Sequence, residues 1–413
     1  MPLPTGALRM SQVAASLTLL LTSNLLIVPS NAQDIQLGPR PYYLIDKMED
    51  GPLKQRLAAC IGEPVERTPF SIAHRGAPLQ FPEHSREGYM AAARMGAGII
   101  ECDVTFTKDK ELVCRHAQND LHTSTNILET DLAQTCVKAF APATSADPAS
   151  AECRSSEITL AQFKTLEAKM DGANKDATTI KGYMSGNPPW RTSLYGERGT
   201  VMSHKESIEL IKSLGGKFTP ELKSPSVDMP FKGFTQLDYA QKLIDEYKEA
   251  GVPASDVWPQ SFNLADVRYW IEHEPEFGAQ AVYLDGRYTS GIDPLDPATF
   301  KPTMGELKAM GVNYLAPPIW MLLKLNDDGE IVPSPYALEA VRENLNLVPW
   351  SLERSGPLSA GGGWYYKSVN DAVDGDGKLY QILSVLSEDI GISGIFSDWP
   401  ATTSFYANCM GYK

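Results

Sequence analysis

The feature that most constrains this chain is an alternation. Short runs rich in apolar, β-branched and aromatic residues recur at 69–74, 99–106, 217–222, 257–262, 281–284, 313–316, 345–350 and 394–397. Bounded by turn residues, runs of this length read as buried strands. Between many of them, at 86–95, 203–214, 236–250, 265–273, 304–310, 336–344 and 377–388, apolar residues recur with helical period. Eight strands interleaved with helices describe an α/β protein whose parallel sheet closes into a (β/α)8 barrel. A doubly wound open sheet competes, but it would show a Gly-rich turn after its first strand, and His74-Arg75-Gly76 is not one.

One stretch, about 118–202, breaks the rhythm with Gly, Pro, Asn and Thr clusters and a single short helical run at 160–170. It reads as a large insertion after the second strand, lying over the barrel mouth, where long loops form lids or binding surfaces. Residues 1–32 read as a secretory signal peptide. They carry one charge, Arg9, then an apolar core at about 13–28, then Ser30-Asn31-Ala32, which places cleavage near Ala32. A membrane anchor is the alternative, but Thr22, Ser23 and Asn24 interrupt a core already short for a span. The single domain then runs over 33–413, and the expected setting is secreted or periplasmic with no stable membrane anchor.

Net charge is −14 over the whole chain. That argues against the basic stripe a nucleic-acid groove requires. Six cysteines, an even number, fit an oxidising compartment. Cys136 and Cys153 bracket a small-residue loop, Cys60 and Cys409 lie near the two ends of the barrel domain, and Cys102 and Cys114 are left as a pair. No Cys-x-x-Cys or Cys-x-x-His spacing supports a zinc site instead.

Reactive groups in such a barrel sit at the C-terminal ends of strands. The first strand ends in His74-Arg75. The second carries Glu101 and Asp103, two apart and so on one face. After a turn the chain returns to His116, and the third strand ends in Glu221 and Lys223, again two apart. Three carboxylates together would repel one another unless a hard divalent cation, Mg²⁺ or Ca²⁺, relieved them. Two imidazoles, His74 and His116, supply the proton transfers that cleaving a phosphodiester needs. Arg75 and Lys223 can neutralise the phosphate oxygens. Singly, each motif is as well explained by a structural hydrogen bond or a solvated face; their succession on consecutive strands is what argues for metal-assisted phosphodiester cleavage.

His74-Arg75-Gly76 with Pro82-Glu83-His84-Ser85 resembles the opening block of the glycerophosphodiester phosphodiesterase family. Glu101-Cys102-Asp103 through His116 resembles its second block, and Pro220-Glu221-Leu222-Lys223 its third. Pro259-Gln260-Ser261-Phe262 and Ser397-Asp398-Trp399-Pro400 are similar to its later strand ends. The resemblance implies a TIM barrel that hydrolyses small glycerophosphodiesters to glycerol 3-phosphate and an alcohol. It implies Glu101, Asp103 and Glu221 as ligands of one divalent metal, His74 and His116 as acid and base, Arg75 and Lys223 on the phosphate, and Glu83 as a further active-site acid. His84 stands where the family has Asn, and the insertion replaces a short connection, which leaves substrate size open. A phospholipase D-like or cyclising activity on intact lipids is the alternative within this fold, and an exposed apolar rim at the mouth would favour it. A non-catalytic exported binding protein is a third reading, which loss of the histidines or acids would have signalled.

One conflict concerns facing. Across a regular hairpin, directly bonded Cys102 and Cys114 would share a face, and His116 would join it, away from Glu101 and Asp103. A bulge would reconcile them.

Overall fold

All eight expected barrel strands form. The computed structural model describes residues 1–3, 6 and 35–412; the expected leader lies almost wholly outside the described residues. The barrel strands are β1 (Thr68–Ala73), β2 (Ala97–Phe106), β4 (Lys217–Leu222), β5 (Gln260–Ser261), β6 (Val282–Leu284), β7 (Tyr314–Ala316), β8 (Asn346–Leu347) and β9 (Ile395–Ser397). A short β3 (Leu112–Cys114) returns antiparallel along β2. The barrel strands run parallel in the order β8-β7-β6-β5-β4-β2-β1-β9. Closure comes just beyond β8, where the Phe396 N–H donates to the Pro349 carbonyl at 3.1 Å and the Leu352 N–H to the Phe396 carbonyl at 2.9 Å.

The outer helices start where their caps dictate. Ser203 with Glu206, Thr235 with Asp238 and Thr303 with Glu306 form capping boxes that satisfy the first free N–H groups. The helix Gln236–Glu249 then buries Tyr239, Leu243, Ile244 and Tyr247, spaced at helical period along one face. Each such burial is worth about 1.5–3 kcal/mol. Among the described residues, three helices of seven residues or more were not anticipated: Arg40–Asp46, Pro52–Ala59 and the C-terminal Pro400–Met410. The Cys60–Cys409 disulfide joins the ends of the last two.

The insertion is more structured than its composition suggests. It contains two small antiparallel ladders, Lys138–Ala141 with Ser150–Glu152 and Glu167–Ala168 with Gly199–Thr200. The expected helix at 160–170 is cut to Leu160–Phe163, because the chain must leave it to pair at Glu167. A separate apolar cluster including Leu121, Ile127, Ile158, Phe163 and Tyr183 gives the insertion its own core, and Cys136–Cys153 staples it.

Inside the barrel, Ile72, Ile99, Val282, Leu284, Ala316, Val348 and Phe396 pack as a filled layer. This layer sets the site. Side chains alternate along a strand, so the residue two further on continues the inward row toward the mouth. His74 lies two beyond Ile72, Glu101 two beyond Ile99, and Asp398 two beyond Phe396.

The facing conflict dissolves without a bulge. Cys114 lies opposite Val104, so its bond to Cys102 runs diagonally, with the Cα atoms 5.4 Å apart. The strand ends at Cys114 and the chain bends at His116, so strand alternation no longer governs that side chain. The disulfide and an inward His116 coexist.

Candidate active site

A cavity of about 340 Å³ opens at the C-terminal ends of the strands, lined by His74, Arg75, Glu101, His116, Glu221 and Lys223 among others. Asp103 and Glu83 lie buried beside it. All eight residues singled out in the sequence therefore converge, drawn from β2, the ends of β1 and β4, the loop that follows β1, and the turn after β3.

The acids come together through strand register. Asp103 on β2 pairs directly with Glu221 on β4, and one carboxylate oxygen from each of Glu101, Asp103 and Glu221 lies within 4.8 Å of the others. Burial, then the neighbouring Asp103 and Glu221 charges, push the Glu101 carboxyl well above its usual range. Burial and Asp103 raise Glu221 to about 7 even with Lys223 Nζ at 2.6 Å from its Oε1. Burial pushes Asp103 upward too, but Lys223, His84 and Arg75 outweigh it and hold that carboxyl well below normal. Asp103 Oδ1 is nonetheless buried without a hydrogen-bond partner. An all-oxygen set, short of positive charge and with an unpaired buried oxygen, fits a hard divalent cation.

His74 is oriented by what lies behind it. Its Nδ1 is 2.7 Å from Asp398 Oδ1 and 3.0 Å from Ser351 Oγ, while Nε2 lies 3.8 Å from Glu101 Oε2. Burial and the Arg75 charge lower its pKa to about 4 against the opposing pull of Asp398. The ring is thus neutral near pH 7, and with Asp398 as acceptor the Nδ1 carries the proton and Nε2 is the free base. Burial, then Arg75 and Lys223, also hold His116 well below its usual range.

Arg75 adopts a left-handed backbone, φ 58°, which aims its N–H at Glu101 Oε2 at 2.9 Å. Its Nη1 donates to Glu83 Oε2 at 2.9 Å. His84, also left-handed at φ 52°, lies with Nε2 2.9 Å from Asp103 Oδ2 and Nδ1 3.0 Å from the Tyr89 hydroxyl. Gln260 donates to Glu101 Oε1 at 2.8 Å.

Sequence reasoning gave no site role to His84, Gln260, Asp398, Arg354 or Arg191. The first three stand in family-like blocks, and Asp398 continues the inward row, so a signal was there. Arg354, in the loop after β8, lines the cavity. Arg191, in the insertion, reaches Glu83 and Asp398. Neither belongs to any local pattern. His122 and His204 lie apart: His122 is a partner of the Cys153 N–H inside the insertion, and His204 pairs with Glu246 on the outer helices. Gly361-Gly362-Gly363 carries Trp364 onto Trp350 and Tyr365, which wall the mouth together with Phe262.

The sequence profile of the glycerophosphoryl diester phosphodiesterase family matches residues 74–300, more than half of the chain. A protein of Arthroderma benhamiae described as an extracellular protein is 46% identical over 245 residues, spanning 58% of this chain and 99% of its own length. A Haemophilus influenzae glycerophosphodiester phosphodiesterase is 25% identical over 359 residues, 80% of this chain and 87% of that protein. A crystal structure of a Silicibacter pomeroyi protein of the same family name covers 86% of this chain and 98% of its own, with a TM-score of 0.55 at 16% identity; that likeness speaks for the barrel fold. The chain belongs to the glycerophosphoryl diester phosphodiesterase family and is an enzyme of that phosphoric diester hydrolase class.

Proposed function

We propose that this chain hydrolyses small glycerophosphodiesters to glycerol 3-phosphate and an alcohol, with one divalent cation, Mg²⁺ or Ca²⁺, held by Glu101, Asp103 and Glu221. The observation that carries this reading is the convergence of those three carboxylates with two imidazoles and two cations at one cavity. A bound cation would offset the acids' charge and polarise a non-bridging phosphate oxygen. Arg75 and Lys223 take the remaining charge on the phosphate as it grows in the transition state. His74 Nε2 accepts a proton from the attacking water as its oxygen bonds to phosphorus, its Nδ1–H steadied by Asp398. As the P–O bond to the alcohol breaks, His116, protonated once the anionic diester is bound, donates its proton to the leaving alkoxide and regains one from solvent. An anionic diester between the rings raises both imidazole pKa values toward the range such transfers need. Glu83 holds the Arg75 guanidinium in place.

The test is release of glycerol 3-phosphate from glycerophosphocholine with Mg²⁺, with Ca²⁺ and with chelator. Full turnover in chelator sinks the metal assignment, and absence of glycerol 3-phosphate sinks the substrate. A second reading, cleavage of intact lipids, draws support from exposed apolar groups around the mouth. Trp190 and Tyr195 on the insertion are 39% and 59% exposed, and Trp364 is 40% exposed. A cyclic phosphate product from lysolipid would favour it. For the setting, three disulfides and the relative described as extracellular support export. Among the described residues no helix is long and apolar enough to cross a membrane.

A further inference from the structure

Two carboxylates behind the site share one arrangement. Asp398 gives Oδ1 to His74 at 2.7 Å and Oδ2 to two guanidinium groups, Arg354 at 2.9 Å and Arg191 at 3.2 Å. Glu83 gives Oε2 to Arg75 at 2.9 Å and Oε1 to the same two, Arg354 at 2.9 Å and Arg191 at 3.4 Å. Each acid thus holds a reactive side chain with one oxygen and the arginine pair with the other. Arg354 stands on the barrel, in the loop after β8. Arg191 comes from the insertion, more than 150 residues earlier in the chain.

Arg191 is an unusual group for its segment. Its side chain is 8% exposed, whereas its neighbours Trp190, Leu194 and Tyr195 face water. A turn fixes it: the Arg191 N–H donates to the Pro188 carbonyl at 3.0 Å, and Asn187 Nδ2 donates to the Arg191 carbonyl at 2.7 Å. Its Nε is buried without a partner. Burying a guanidinium beside Arg354 and Arg75, with one donor unmet, is a poor way to stabilise a loop that could keep the charge in water. What the placement does accomplish is geometric. A planar fork bridging two acids fixes both carboxylate planes, and those planes set the His74 ring and the Arg75 fork.

We infer that Arg191 is a positioning residue of the active site, so that the insertion is part of the catalytic unit as well as a cover over it. It acts through Asp398 on His74 and through Glu83 on Arg75, and this rests on the catalytic assignment of those two made above. Because Arg191 does not line the cavity, its loss should fall on turnover rather than on substrate binding.

The experiment compares wild type, Arg191→Ala, Arg191→Lys and Leu194→Ala, a water-facing change on the same segment. Turnover is followed with bis(p-nitrophenyl) phosphate as well as glycerophosphocholine. Failure of the substrate assignment then shows as loss of the second activity alone in wild type, and does not disturb the comparison. Arg191→Ala should lower kcat by about 10- to 100-fold, the usual cost of removing a group that orients a catalytic one, with KM within about twofold. Added guanidinium ion should restore part of the turnover in that variant only. Arg191→Lys should keep the wild-type thermal midpoint yet lose turnover, because a single ammonium cannot bridge two acids; it keeps the question answerable if the alanine variant does not fold. Wild-type kcat in either folded Arg191 variant, a loss confined to KM, or an equal loss in Leu194→Ala overturns the inference.

Discussion

The barrel mouth and the insertion supply the same site by opposite means. At the mouth, Glu101 and Asp103 sit on a ten-residue strand buried throughout, and register alone brings Glu221 alongside. Their spacing is a property of the strand, so the acids are placed before any loop is considered. The insertion has its own small core, two short ladders and a disulfide, and delivers Arg191 to the site through a loop. The strands carry the groups proposed to do the chemistry. The loop carries a group proposed to hold them. That division predicts large losses for changes in the first region and graded ones in the second.

The largest expected effect is metal removal. Chelator, or Glu101→Gln, should take phosphodiesterase turnover to background, and readdition of Mg²⁺ or Ca²⁺ should restore only the chelated wild type. Activity retained in Glu101→Gln would break the comparison at its base. Next, His74→Ala should lower kcat by about 10²–10⁴-fold, the range for losing a general acid or base, measured at saturating metal.

On the insertion side, replacing Cys136 and Cys153 by Ser opens a loop closed at a sequence separation of 17. Chain-entropy arguments put the cost at about 3 kcal/mol. Hydrogen exchange should show the loss within 118–202 first, with β1, β2 and β4 still protected. Uniform loss across both regions would show that the two unfold as one.

The smallest effect concerns Lys169, whose ammonium donates to the carbonyls of Thr123, Met170 and Gly172 inside the insertion. Burial lowers its pKa from 10.5 to about 8, with Asp171 opposing. Between those values the unfolded chain binds the proton more firmly than the folded one. Wild-type stability relative to Lys169→Met should therefore rise with pH from about 8 to 10.5 and be flat below. A flat difference across that window in denaturant titrations would remove the buried ammonium from the account.

Legibility in the sequence followed the range of the physics. Strand period put Glu101 with Asp103 and Glu221 with Lys223, and the inward layer of Ile72, Ile99 and Phe396 explains why residues two beyond each reach the mouth. Reading failed where alternation was carried past its end. The facing of His116 was derived as though β3 continued, whereas the strand stops at Cys114. Composition also undersold the insertion, whose Gly, Pro and Thr clusters mark the turns between its short ladders.

What the sequence determined by itself is the barrel, its strand ends and the candidate site residues upon them, because period and register act over a few residues and repeat eight times. Only the tertiary structure decided that Asp398 orients His74, that His84 buttresses Asp103, and that Arg191 and Arg354 share two acids behind the site. Those contacts join residues far apart in the chain through loops of no regular period. Nothing local distinguishes an arginine bound for a buried carboxylate from one bound for water; the closing of the barrel makes that choice.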